Sequence, residues 1–249
     1  GLPIATYFSL SKILWLLRNV DEVKKAREDS DLCFGTIDSW LLFKLTGDHV
    51  TDVTNASRTL LMDLQTLNWM KDILTTLDIP ENSLPEIKPS LYNFGTNTDY
   101  LKNVPLTSVL GDQQAALFGQ NCINSGDVKN TYGTGCFALT NTGNEIVQSN
   151  NGLLSTVAYQ KDGDNPQYAL EGSVSIAGAA VQWLRDNLNI IENSEDIESL
   201  ALSVKDNGDV YFVPAFSGLF SPHWDETARG VLVGLSRFSN KSHIARAVL

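Results

Sequence analysis

Asp112 is the residue of this chain whose position most directly suggests chemistry. It follows the apolar run Leu106 to Leu110, predicted as a strand, and precedes Gln113 to Phe118, predicted as a helix. Its carboxylate is therefore expected at the carboxyl end of a strand, where open α/β sheets hold ligands. Further along, Gly133-Thr134-Gly135 separates two β-leaning runs, Val128 to Thr131 and Cys136 to Thr140, and is predicted as a hairpin tip. Glycines permit positive φ at such a tip, and its backbone N–H groups can face an anion. Thr134 adds a hydroxyl donor where no bulky side chain intervenes, which makes it the candidate phosphate contact. Phosphoryl transfer to an alcohol needs a base near the hydroxyl, donors around the transferred group and usually Mg²⁺. Asp112 can be that base. Each fragment also has a plainer reading, Asp112 as a helix N-cap and the glycines as a tight turn.

The elements around these residues follow from periodicity. Ser11 to Val20 carries a helical stripe, Asp21 to Arg27 continues as a charged helix, and Asp38 to Leu45 is a helix ended by Gly47. Asn68 to Leu77 is predicted as a further helix, and Ile79 to Pro89, with Pro80, Pro85 and Pro89, as a loop. From Val128 the pattern is of hairpins, the second pairing Leu153 to Tyr159 with Gln167 to Glu171. Ile176, Ala180, Trp183, Leu184 and Asn187 or Leu188 then set a helical period. Val210 to Val213 and Val231 to Leu235 look like strands, and His243 to Leu249 opens a helix. The polar connection Gln120 to Asp127 is the expected domain boundary.

Composition narrows the partners. A formal net charge of −11 over 249 residues makes a nucleic-acid backbone an unfavourable partner. With 43% hydrophobic residues there is material for a buried core. No run approaches the length of a membrane-spanning helix. Cys33, Cys122 and Cys136 have no metal-like spacing and are too few for a disulfide framework. They are expected as free thiols in a reducing compartment, the cytoplasm. His49, His223 and His243 form no zinc pattern and take no catalytic role. No Gly-x-x-x-x-Gly-Lys-Ser/Thr string is present, which excludes a P-loop kinase.

The full strings carry more than their fragments. Gly111-Asp112-Gln113-Gln114-Ala115-Ala116-Leu117-Phe118-Gly119 and Thr131-Tyr132-Gly133-Thr134-Gly135-Cys136-Phe137 together resemble the FGGY carbohydrate kinases of the actin-like ATPase superfamily. The resemblance begins at Thr6-Tyr7-Phe8-Ser9-Leu10 and passes through Phe34-Gly35-Thr36-Ile37-Asp38 and Thr54-Asn55-Ala56-Ser57-Arg58. It continues in Tyr168-Ala169-Leu170-Glu171-Gly172, Ala177-Gly178-Ala179-Ala180 and Trp224-Asp225-Glu226-Thr227. It covers essentially the whole chain and is similar to the branch that phosphorylates glycerol.

That resemblance implies an α/β, actin-like ATPase (ribonuclease-H-like) fold, with parts of two domains present. Residues 1–120 would be the carboxyl-terminal part of the polyol-binding domain, and residues 121–249 the amino-terminal part of the nucleotide-binding domain. It implies ATP-dependent phosphorylation of glycerol to sn-glycerol 3-phosphate with Mg²⁺, by reacting groups from two domains brought together by hinge closure. By the same analogy Asp112 is the base and lies near the metal. Tyr7, Gln113 and Phe137 contact the polyol, and Gly133, Thr134, Gly178 and Gln182 lie near the nucleotide. Glycerol, ATP and ADP are the implied partners, and a homo-oligomeric parent is compatible with this. The chain opens without a methionine and stops within the second family signature, so it is expected to be an internal fragment, inactive by itself. Three alternatives stand beside this reading: a kinase for another polyol or sugar, a non-kinase actin-like ATPase, or an inactive paralogue. In Asn97 to Pro105, glycine and arginine are both absent. The resemblance implies that members responding to fructose 1,6-bisphosphate hold it on a glycine-rich, arginine-bearing loop at this place, so insensitivity is the expectation for this chain, whose stretch lacks that bidentate phosphate contact.

Overall fold

The computed structural model describes residues 2–96 and 104–249. The stretch expected to govern fructose 1,6-bisphosphate sensitivity falls largely outside the described residues. The chain divides into two compact units. The first comprises Gly1–Lys129, Leu139–Ser149 and Leu154–Glu171, and the second Asn130–Ala138, Asn150–Leu153 and Gly172–Leu249.

In the first unit, α1 (Ser9–Asn19) and α2 (Asp21–Glu28) meet at Val20, whose extended backbone ends one helix and precedes the next. Asp21 and Glu22 in the first turn of α2, with Lys25 and Arg27 in the last, complement the helix dipole. α3 (Ile37–Thr46) ends where Gly47 takes φ 84° and its N–H returns to the Phe43 carbonyl, a left-handed stop that glycine adopts without a Cβ penalty. β1 (Val50–Asp52) leads directly into the short helix α4 (Val53–Ala56). After α5 (Lys71–Thr76), β2 (Glu86–Lys88) pairs parallel with β1, Val50 opposite Glu86 and Asp52 opposite Lys88. α6 (Asp112–Gly119) completes the helices of this unit. Ile13, Phe34, Leu61, Leu74, Ile79 and Leu84 form one buried cluster, and Val53, Ala56, Met62, Val157 and Tyr168 form another.

The four-stranded sheet has the order β3 (Val128–Tyr132), β4 (Cys136–Gly143), β6 (Gln167–Val174), β5 (Leu154–Tyr159). β5 and β6 pair antiparallel, Leu154 opposite Glu171, with an irregularity between Val157 and Tyr159. In the second unit follow α7 (Gly178–Asp186), α8 (Asp196–Leu202), the antiparallel pair β7 (Tyr211–Val213) and β8 (Val231–Val233), and α9 (Lys241–Val248). Leu184, Ile191, Ile197, Ala201 and Ala245 form its core. Asn240 caps α9 in a reciprocal capping box with His243. No helix among the described residues is long and apolar enough to cross a membrane.

Three sequence expectations are corrected. Leu106 to Leu110 is not a strand: its run meets residues 90–95 through separate bonds, Leu106 N–H to Gly95 at 2.8 Å and Val109 N–H to Ser90 at 2.9 Å, without a continuous ladder. Ile79 to Pro89 is not all loop, since the 3₁₀ turn Glu81–Ser83 and β2 fit between its prolines. The helix predicted from Asn68 is confined to Lys71–Thr76, because Met70 is still extended.

Candidate functional site

Asp112 occupies the first residue of α6, with Gly111 in the N-cap position and no side-chain cap. The N-cap reading of Asp112 is thereby corrected. Its exposed carboxylate instead accepts from its neighbour, Oδ1 from the Gln113 N–H at 2.8 Å and Oδ2 from Gln113 Nε2 at 3.2 Å. A first-turn carboxylate is favoured by the positive end of the helix.

The turn before Asp112 is held from below by Asp52. This side chain is fully buried, and it accepts from Thr54 N–H, Thr54 Oγ1, Asn55 N–H, Asn55 Nδ2 and Ser90 Oγ. Burial raises the Asp52 pKa, and the donated hydrogen bonds oppose the rise. Thr54 Oγ1, fixed by Asp52, in turn accepts from the Gly111 N–H at 2.8 Å. Gln114, also buried, donates to Thr156 Oγ1 and to the Val157 carbonyl. One face of the turn is thus tied to the core while the next side chain, Asp112, is left exposed.

Charged groups in strands continue the site. Lys129, in β3 and 5% exposed, donates to Gln113 Oε1. Burial lowers its pKa below the ordinary lysine value, against the opposing charges of Glu171 and Asp112. Glu171, in β6 and 1% exposed, accepts from Arg58 Nη2 at 2.8 Å and from the Tyr7 hydroxyl at 3.4 Å. The Arg58 guanidinium lies 5.3 Å from the Tyr7 ring centroid and 5.7 Å from that of Phe8, within cation–π range. Burial raises the Tyr7 pKa, and the Glu171 charge pushes the same way. Tyr7 is thus bonded to Glu171, and Gln113, beside Asp112, to Lys129; sequence reasoning left Glu171 and Lys129 unassigned, and the Glu171 charge acts on the lysine. The available signal was a single charge inside each of the strands Val128–Tyr132 and Gln167–Val174, since such groups are rarely buried without partners.

Gly133, Thr134, Phe137, Gly178 and Gln182 belong to the second unit. Neither Gly133 nor Gly135 takes a positive φ, which corrects the expectation for the tip. Their glycines serve close approach: a Cβ on Gly135 would lie 2.4 Å from the Val174 carbonyl oxygen. The tip docks on the start of α7, where Gly178 N–H donates to the Gly133 carbonyl at 2.9 Å and Ala177 N–H to the Thr134 carbonyl at 2.8 Å. Gly178 stands at the head of the helix, and a Cβ there would sit 2.7 Å from the Gly133 oxygen. Backbone approach accounts for this glycine. The exposed residues Gly178 and Gln182 are four apart on α7 and share a face. Trp183, on the same helix, is stacked against Phe212 at 5.7 Å and contacts Phe216 at 5.0 Å, which anchors α7.

The first unit thus presents an exposed carboxylate at a helix start, backed by buried charges, and the second a glycine tip on a helix start. Residues 1–119 match the FGGY family of carbohydrate kinases, N-terminal domain, and residues 128–249 match its C-terminal domain. The chain belongs to this family. It is 62% identical, over its whole length, to a glycerol kinase of Brucella anthropi, of which it covers 51%. Among solved structures it is similar to Plasmodium falciparum glycerol kinase with ADP, at a TM-score of 0.83 and 42% identity, covering all of this chain and 50% of that one. It is also similar to a gluconate kinase from Lactobacillus acidophilus, at a TM-score of 0.78 and 28% identity over 97% of this chain and 49% of that one. The chain spans about half the length of the curated relatives it matches. Its fold is the α/β actin-like ATPase fold of these kinases.

Proposed function

We propose that the full-length protein to which these residues belong phosphorylates glycerol with ATP, giving sn-glycerol 3-phosphate and ADP. The observation that carries this reading is the exposed Asp112 carboxylate held by Gln113 at the start of α6, in a chain 62% identical to a glycerol kinase. Asp112 is the general base: it takes the proton of the attacking glycerol hydroxyl as the phosphoryl group is transferred. Gln113 and the half-buried Tyr7 and Phe137 bind the polyol. Gly133, Thr134, Gly178 and Gln182 bind the nucleotide, a role supported by the exposure of Thr134, Gly178 and Gln182.

Mg²⁺ fits this set in one way. No group of three or more His, Cys, Asp or Glu side chains that could hold a metal occurs among the described residues. Mg²⁺ commonly takes one or two carboxylates together with substrate phosphates and water, and Asp112 supplies one carboxylate. The ion would neutralise charge on the phosphates. The domain division is placed at Gln120 to Asp127, supported by matches that end at residue 119 and resume at 128. A cytoplasmic location suits ATP use and the three free cysteines.

Glycerol-dependent ADP release by the full-length protein tests the reading, with xylulose and gluconate as competing acceptors. Equal or faster turnover of either competitor would overturn the choice of glycerol. Phe137→Ala is expected to raise KM for glycerol several-fold while leaving KM for ATP nearly unchanged, because it removes apolar packing on the polyol carbons. Steady-state kinetics in both substrates measure this, and an effect confined to ATP would contradict the assignment of Phe137.

A further inference from the structure

The side chain between Lys129 and Asp112 is an amide, and an amide has two unlike ends. Gln113 Oε1 accepts from the Lys129 ammonium, and Gln113 Nε2 donates to Asp112 Oδ2 at 3.2 Å. An ammonium has donors only, and an ionised carboxylate has acceptors only. Turning the amide over would set Nε2 against the Lys129 donors and Oε1 against the Asp112 oxygen, repulsive at both ends. The Gln113 N–H already holds the other carboxylate oxygen at 2.8 Å. The carboxylate is thus fixed at both oxygens, and the orientation of one of those contacts is dictated from β3.

We propose that Lys129 is a positioning residue for phosphoryl transfer: its ammonium polarises and orients the Gln113 amide, which holds the Asp112 carboxylate in one rotamer for the acceptor hydroxyl. This deepens the kinase reading and rests on it. A buried lysine is costly to keep charged, and Lys129 is only 5% exposed. The groups acting on it include Glu171 from β6, Asp112 and Gln113 from α6, and Cys122 from the connection after α6. Glu171 is itself held by Arg58 and Tyr7. The lowered pKa of Lys129 places the loss of its proton at a lower pH than for an ordinary lysine.

The test compares Lys129→Met and Lys129→Arg in the full-length protein. Small misplacements of a reacting group cost up to about 10²-fold in rate, so Lys129→Met is expected to lower kcat for glycerol by about 10–100-fold, with KM for ATP little changed. Lys129→Arg should recover most of the rate, since a guanidinium also donates to Oε1. In the wild type, kcat should fall on the alkaline side as Lys129 deprotonates, and in Lys129→Arg that limb should vanish, because arginine keeps its proton. A merely structural lysine would predict neither the rescue nor the altered pH profile. Near wild-type kcat in Lys129→Met, or an arginine variant no better than methionine, overturns the proposal. A crystal structure of Lys129→Met supplies a readout independent of activity: loss of the Gln113 Nε2 to Asp112 contact is expected, and its retention overturns the proposal. If the wild type shows no glycerol-dependent ADP release, the kinase reading fails by itself, and the crystallographic comparison still decides the role of Lys129.

Discussion

Asp112→Asn in the full-length protein is expected to lower kcat for glycerol phosphorylation by about 10²-fold to 10⁴-fold, the usual worth of a general base. The geometry makes this a clean substitution. Asp112 is exposed, caps nothing and makes no ion pair among the described residues, so the loss to folding is confined to its favourable place at a helix start, about 0.3–1 kcal/mol. An asparagine there retains one acceptor for the Gln113 N–H. Its Nδ2 would meet Gln113 Nε2 donor to donor, and its amide cannot take a proton from a hydroxyl at neutral pH. Nucleotide affinity and thermal midpoint should therefore stay close to wild type while turnover collapses. The measurement is steady-state ADP release together with calorimetric binding of ADP, and near-normal turnover would remove Asp112 from the role of base.

Asp112 was legible in the sequence because its surroundings are local: a polar residue between an apolar run and a helical one needs no tertiary information to be noticed. The hairpin tip was legible for the same reason, although the use of its glycines was not. Gly135 serves the passage of the Val174 carbonyl, and nothing within Thr131 to Phe137 reveals a backbone brought from β6. Short elements escaped for a different reason. β1 has three residues and α4 four, less than the window in which either period can repeat. α8, Asp196–Leu202, buries only Ile197 and Ala201 and spans only about two turns. Leu106 to Leu110 failed in the opposite sense, since an apolar run reads as a strand whether or not a neighbouring strand supplies its ladder. The charged part of the site lay furthest from view. Arg58 and Glu171 meet across 113 positions, and Lys129 finds Gln113 only once β3 is placed beside α6.

Asp52→Ala should be among the most destabilising single changes in the first unit, although Asp52 lies outside the proposed reaction. Its carboxylate is buried and receives five donors from Thr54, Asn55 and Ser90. Each buried donor left without a partner costs about 1–3 kcal/mol, and loss of an N-cap adds about 0.5–2 kcal/mol. Part of this is returned because a desolvated charge is removed, and part because side chains such as Asn55, half-buried, can turn toward water. A net loss of about 3 kcal/mol is therefore expected, or roughly 6–12 °C in thermal midpoint for a unit of this size. Asp52→Asn should cost less, since one oxygen still accepts while its Nδ2 faces donors. The change should also reach the site. Thr54 Oγ1, released from Asp52, no longer holds the Gly111 N–H, and the turn that presents Asp112 gains freedom. Scanning calorimetry and kcat, measured below the lowered midpoint, separate the two effects. A midpoint within about 2 °C of wild type, smaller than the shift expected from even one orphaned donor, would show that Asp52 does not secure this turn.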